Sequence, residues 1–282
     1  VTYTPSWVDR LTEWIRQSLK DSWQFYSLLA ALLIILQTAV AWIEGAIPPG
    51  SILTVQIFMA IVIALFPGLI HYIDDSAKSS LASLRPALMT NEDGYLQIER
   101  RLTTLPSGRT LLAGLLAISF ALLIEVIGSG PYQLEALDSY PISAGILRVI
   151  YLLSWGLFGT FIYHMAHQLR GVNHVYSNYT RVNLFRMKPL YALSRLTAIT
   201  AAEFTLIPYA WLLINPSISI NDPIIFVIYL MVLLIAMVVF LLPQLGIHKL
   251  QAEEKAKLLG ESRQRYERIL TKMHKRIDQD NI

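Results

Sequence analysis

The chain contains no cysteine. A disulfide, a thiolate metal site and a cysteine nucleophile are thereby excluded, and cysteine usage is silent on redox compartment. Charge is scarce as well: Asp, Glu, Lys and Arg make up 15% of the residues, against about 25% in soluble domains. No carboxylate occurs between Asp138 and Glu203. The chain also lacks G-x-S-x-G, H-E-x-x-H, G-x-G-x-x-G and a phosphate-binding glycine loop, the short patterns that mark common hydrolases, metalloproteases and nucleotide enzymes. No span repeats arginine at every third position and no potassium-filter sequence is present, so neither a voltage sensor nor a potassium channel is indicated. No enzyme activity, cofactor, metal or catalytic residue is predicted. No internal repeat of fixed period is found.

What is abundant is apolar sequence, 54% of the chain, gathered into blocks of about twenty residues that match a hydrocarbon core roughly 30 Å thick. We expect an all-α integral membrane protein with six transmembrane helices at about 24–43, 52–72, 111–128, 145–166, 196–214 and 224–242. These spans form one domain, 24–244, between an N-terminal interfacial helix, 1–23, and a cytoplasmic helical tail, 245–282. The chain opens at Val1 with no Met and no signal-peptide pattern, as expected of a start that is missing or processed.

Trp7, Leu11, Trp14, Ile15, Leu19 and Trp23 recur at helical spacing with charges between them, the pattern of an amphipathic helix. Its tryptophans point to the membrane interface; the alternative is a helix packed on the protein's own cytoplasmic surface. Ser6 and Asp9 have the spacing of a capping box. Pro67 is expected to kink the second span. The 74–110 stretch reads as a long loop with a short helix near Pro86, a turn at Asn91–Gly94 and a second short helix from Gly94 to Leu102. Pro243 and Gly246 mark the expected exit from the sixth span.

Basic residues set the orientation. Of 23 Lys and Arg residues, all but Arg148 fall in the N-terminal helix, the 74–110 loop, the 164–195 connector and the tail. Six alternating spans put these segments on one side, and the other connections carry only Glu44, Glu135, Asp138 and Asp222. The positive-inside rule places both termini in the cytoplasm of a plasma or inner membrane. The Asn178-Tyr-Thr180 triplet is then out of reach of glycosylation.

Glu125 and Arg148 lie about one turn from the outer ends of the third and fourth spans and are expected to form an ion pair, with a helix-register role weighed against a functional one. Glu203 lies two turns into the fifth span among Thr197, Thr200 and Thr205. It is a candidate proton or cation site, the alternative being a carboxyl paired with His164, Tyr163 or His71. The spacing of His164, His167 and His174 raises a metal site, but with no nearby carboxylate or cysteine, interfacial histidines explain them better.

The connector from His164 to Arg195 joins the fourth and fifth spans. His167, Arg170, His174, Tyr176, Tyr179, Arg181, Arg186 and Lys188 in it are candidates for a cytoplasmic mouth or for contact with anionic lipid headgroups, each basic group contributing on the order of 1 kcal/mol. Membrane lipid is a simpler partner than nucleic acid. Leu259, Ser262, Tyr266, Ile269 and Met273 make a short coiled-coil seam, so a homo-oligomer or a larger membrane complex is expected. Two function classes follow: a channel or transport-type pore, or a non-catalytic accessory or signalling subunit that binds a partner through its cytoplasmic face. No residue pattern names the transported ion or solute.

Overall fold

A computed structural model describes residues 4–18, 22–126, 137, 139–180, 191–214 and 223–280. Apart from short turns and links the described residues are helical, with no strand among them; the two isolated bridges, Pro5 to Pro106 and Leu88 to Thr180, tie helix ends together. The helices are α1 (Trp7–Ser18), α2 (Ser22–Ile43), α3 (Thr54–Leu84), α4 (Glu92–Thr103), α5 (Ser107–Val126), α6 (Pro141–Tyr179), α7 (Ala192–Ile214) and α8 (Pro223–Asp280).

Four of the described helices are long and apolar enough to cross a membrane: α2, α3 with its 3₁₀ continuation to Ala87, α5 and α6. They correspond to the first four expected spans. The expected fifth and sixth fall on α7 and the first part of α8, which are not among those four.

The sequence places α3 at the centre. Its apolar side chains recur at Phe66, Ile70, Ile73, Ala77, Leu81 and Leu84, all buried, so one face stays apolar for several turns beyond Tyr72. That face packs against α2, α6 and α7. The helix continues through Pro67, which is tolerated where neighbouring groups take up the freed backbone. The opposite arrangement holds in α2 and α5, which leave Leu28, Leu32, Ile35, Leu111, Leu115 and Leu116 exposed.

α5 and α6 approach closely because small residues line their contact. A Cβ built on Gly159 would stand 2.5 Å from Ala117 Cβ, and one on Gly114 would stand 3.2 Å from the Gly156 carbonyl oxygen. At the turn after α2, Gly45 and Gly50 take positive φ values of 75° and 88°, which a side chain would strain. Glu44 in that turn caps α6: its carboxylate accepts from the N–H groups of Ile142 at 2.9 Å and Ser143 at 2.7 Å, and from the Ser143 hydroxyl.

Several boundaries differ from expectation. α6 does not end at residue 166 but runs to Tyr179, because Gln168, Val172, Val175 and Tyr176 continue its buried face. Half of the expected connector is therefore helix. Asn91–Gly94 is not a free turn: the Asn91 side chain accepts from Gly94 N at 3.0 Å and starts α4. The helix expected near Pro86 is a 3₁₀ turn, Arg85–Ala87, ending α3. α8 passes Pro243 and Gly246 without interruption.

Candidate functional site

On the side carrying most basic residues, α1 lies across α2 and α3. The capping box forms as its residues predict, Ser6 N donating to Asp9 Oδ2 at 2.8 Å and Asp9 N to Ser6 Oγ at 3.2 Å. Asp9 Oδ2 also accepts from Leu105 N at 3.0 Å. That bond fastens α1 to the start of the α4–α5 link. Burial pushes the Asp9 carboxyl up against the lowering effect of these bonds. Its other oxygen, Oδ1, is buried with no partner among the described residues.

Between α1, α3 and the end of α4 lies a cleft of about 400 Å³, lined by Asp9, Arg10, Arg16, Asp74, Lys78 and Thr104, among others. At its floor, Asp74 Oδ1 accepts from His164 Nε2 at 2.9 Å. The side chains are 9% and 1% exposed, so the pair is sealed from solvent on the α6 side. His164 Nδ1 has no partner among the described residues. One turn back on α3, His71 Nε2 accepts from Arg16 Nε at 3.3 Å, and its Nδ1 stands 3.5 Å from the Tyr26 hydroxyl. Arg16 also holds Asp75 at 2.7 Å. Farther toward the N-terminal ends of α3 and α6, Phe66 packs on Phe161 and Phe158, whose ring centroids lie 5.4 and 5.7 Å from its own.

Glu203 enters from α7, which packs on α3 and α8. It is 7% exposed, and both carboxylate oxygens are buried without a hydrogen-bond partner among the described residues. The alternative pairing with His164, Tyr163 or His71 does not form. His164 is taken by Asp74, His71 by Arg16, and Tyr163 stacks on His167. α7 starts beside the end of α6, where Tyr176 bonds to Leu193 and Ser194. Glu203 lies ten residues along α7 from Leu193 and His164 twelve residues back along α6 from Tyr176, about 15 and 18 Å at 1.5 Å per residue.

The remaining predicted residues divide clearly. Arg148 Nε meets Glu125 Oε1 at 2.6 Å, the ion pair expected from their equal depth. Arg148 is half exposed, so the pair stands apart from the buried cluster. His167 donates to the Arg101 carbonyl at 3.1 Å. His174 contacts Asn178 and the Tyr179 ring, Arg170 is exposed, and the Tyr179 carbonyl accepts from Met89 N at 2.8 Å. Tyr176 is 1% exposed and lies in the core rather than on an open mouth; its face of α6 packs inward. Arg181, Arg186 and Lys188 lie outside the described residues. No group of three metal-binding side chains occurs among the described residues.

No protein-family model, curated protein or solved structure matches this chain. The site is therefore read from its own chemistry. Asp74 is the functional candidate the sequence reading passed over. It was detectable, because the buried positions Ile70, Ile73, Ala77 and Leu81 carry the helix straight past it.

Proposed function

We propose that this chain is a six-span membrane protein of the channel or transport type, working as part of an oligomer, and that it moves protons or small cations through the Asp74–His164 pair. The carrying observation is that Asp74 both lines the inner cleft and hydrogen-bonds a fully buried histidine. A carboxylate and an imidazole in contact can pass a proton between them, and intramembrane ionisable groups of this kind mark ion and proton paths. The phenylalanine layer outward of the pair supports a gated path rather than an open pore. The exposed apolar faces of α2 and α5 support contact with lipid. In this reading α7 and the first part of α8 are the fifth and sixth spans, and the cleft opens to the cytoplasm.

The test is proton flux in liposomes under an imposed potential, followed with a trapped pH-sensitive dye. Asp74→Asn and His164→Gln should abolish flux, whereas Glu125→Ala should leave it unchanged. A C-terminal reporter active only outside the cytoplasm should stay silent. Absence of flux from monodisperse protein that co-purifies with a partner would replace this reading by the accessory-subunit one. One observation favours that second reading: Leu259, Tyr266, Ile269 and Met273 form an exposed apolar row on α8, each more than half exposed.

A further inference from the structure

Among the described residues Glu203 is the buried acid with no hydrogen-bond partner on either carboxyl oxygen. Its neighbours on α7 do not solvate it. Thr197 Oγ1 donates to the Ser194 carbonyl at 2.9 Å, Thr200 to Leu196 at 2.9 Å and Thr205 to Ala202 at 2.8 Å, so each hydroxyl hydrogen is spent on the helix itself. His71 and Asp74 on α3 and His164 on α6 are engaged elsewhere, His71 with Arg16 and Asp74 with His164, and none bonds to Glu203. α8 carries no Asp, Glu, His, Lys or Arg from Pro223 up to His248; Tyr229 is its one titratable side chain there. An ionised carboxylate in that place would be a buried charge with neither counter-ion nor donor, which proteins avoid by leaving the group neutral or by supplying a cation.

We propose that Glu203 is a proton-binding carboxyl, present as the neutral acid in the resting protein and open to covalent capture by a lipid-soluble carbodiimide. The inference rests on the membrane-spanning reading of α7, and it does not depend on flux. The chemistry is an addition followed by a rearrangement. The carboxyl proton passes to one carbodiimide nitrogen while a carboxyl oxygen bonds to the central carbon, giving an O-acylisourea. The acyl group then migrates from oxygen to nitrogen, giving a stable N-acylurea with no leaving group and no change of oxidation state. Water would hydrolyse the first adduct; a site 7% exposed favours the migration.

An ordinary glutamate with a pKa of about 4.3 is neutral in roughly one molecule in 500 at neutral pH, so a carboxyl that keeps its proton should react on the order of 100-fold faster. The experiment treats the full chain in phosphatidylcholine liposomes with dicyclohexylcarbodiimide and maps adducts by peptide mass spectrometry. Glu203 should be the dominant adduct by about that factor over the exposed glutamates of α8, with labelling slowed in alkaline buffer. Glu203→Gln should remove that adduct and leave the others. Absence of an adduct at Glu203 in protein that elutes as a single species would overturn the proposal. So would a labelling rate that does not change with pH. Protection by sodium ion at constant pH would overturn it in favour of a cation site, for which the Phe204 carbonyl, deprived of its donor by Pro208, is a ready oxygen ligand. An adduct in protein that carries no flux would leave the inference standing and refute only the transport reading.

Discussion

Gly159→Ala should destabilise the protein, although alanine is the better helix former. A Cβ at residue 159 would lie 2.5 Å from Ala117 Cβ, 2.6 Å from the Ala113 carbonyl oxygen and 3.3 Å from the Ala113 carbonyl carbon. Carbon atoms rest at about 3.5–4.0 Å, so α5 and α6 must part locally by about 1 Å. Neither obstacle is a rotatable side chain. Such a gap forfeits roughly a quarter to a half of each dispersion contact across it, and overpacking of this kind costs about 1–3 kcal/mol. Helix propensity returns up to about 1 kcal/mol, leaving a net loss of about 0–2 kcal/mol. Gly145 provides the control in the same helix: nothing lies within 4 Å of its Cβ position, so Gly145→Ala should be neutral or stabilising by up to about 1 kcal/mol. Gly171→Ala meets only the Leu102 Cδ2 at 2.7 Å, a side chain end that can turn away, and should fall between the two. Unfolding midpoints of the detergent-solubilised proteins, under matched protein and detergent concentrations, give the ranking. Equal midpoints for the residue 159 and residue 145 variants would refute the close α5–α6 approach.

Asp74→Ala should cost about 2–3 kcal/mol, the worth of a buried hydrogen bond to a charged group, because it strands His164 at 0% exposure. In a double-mutant cycle with His164→Leu the second substitution should cost far less than it does alone; additive costs would mean that the two side chains do not interact. The Glu44 carboxyl is under two opposing influences: partial desolvation raises it, and the Ser143 hydroxyl with the Ile142 and Ser143 N–H groups outweighs that and holds it below the usual carboxylate range. A carboxyl lowered by folding stabilises the folded state above its unfolded value and loses that contribution as pH falls through the folded value. Glu44→Gln should therefore lower the unfolding midpoint at neutral pH, and the two proteins should converge in acid. A gap that is constant with pH would exclude the cap as its source.

The helices were legible wherever apolar composition and period agreed. The runs of α2 and α5 are apolar on all sides, and their ends lie close to the expected ones. Asp74 was hidden by a different rule. Hydropathy drops after Tyr72, so the following residues resemble a loop, yet the polar residues from Asp75 to Ser83 occupy mainly one face while Ala77, Leu81 and Leu84 stay on the buried one. Period outlasts composition there. The same effect lengthened α6 past residue 166. His164 was singled out by its depth, but its partner lies 90 positions away in the chain, and a separation of that kind leaves no trace in local spacing.

Glu203 separates composition from chemistry in another way. Three threonines nearby suggest a hydroxylated pocket, but a helical threonine can satisfy its own hydroxyl on the carbonyl three or four residues back, and all three do so. Proximity in sequence therefore overstated the polarity around the acid, and the consequence is testable in the structure's own terms. Had the hydroxyls turned toward Glu203, they would have donated to a carboxylate and made the ionised form tolerable. Turned away, they leave both carboxyl oxygens without a donor among the described residues, which suits an acid that carries its own proton. Asp74 shows the contrasting solution, a carboxylate answered by an imidazole beside a cleft of about 400 Å³. The two acids are thus left in opposite conditions, one supplied with a donor and one without.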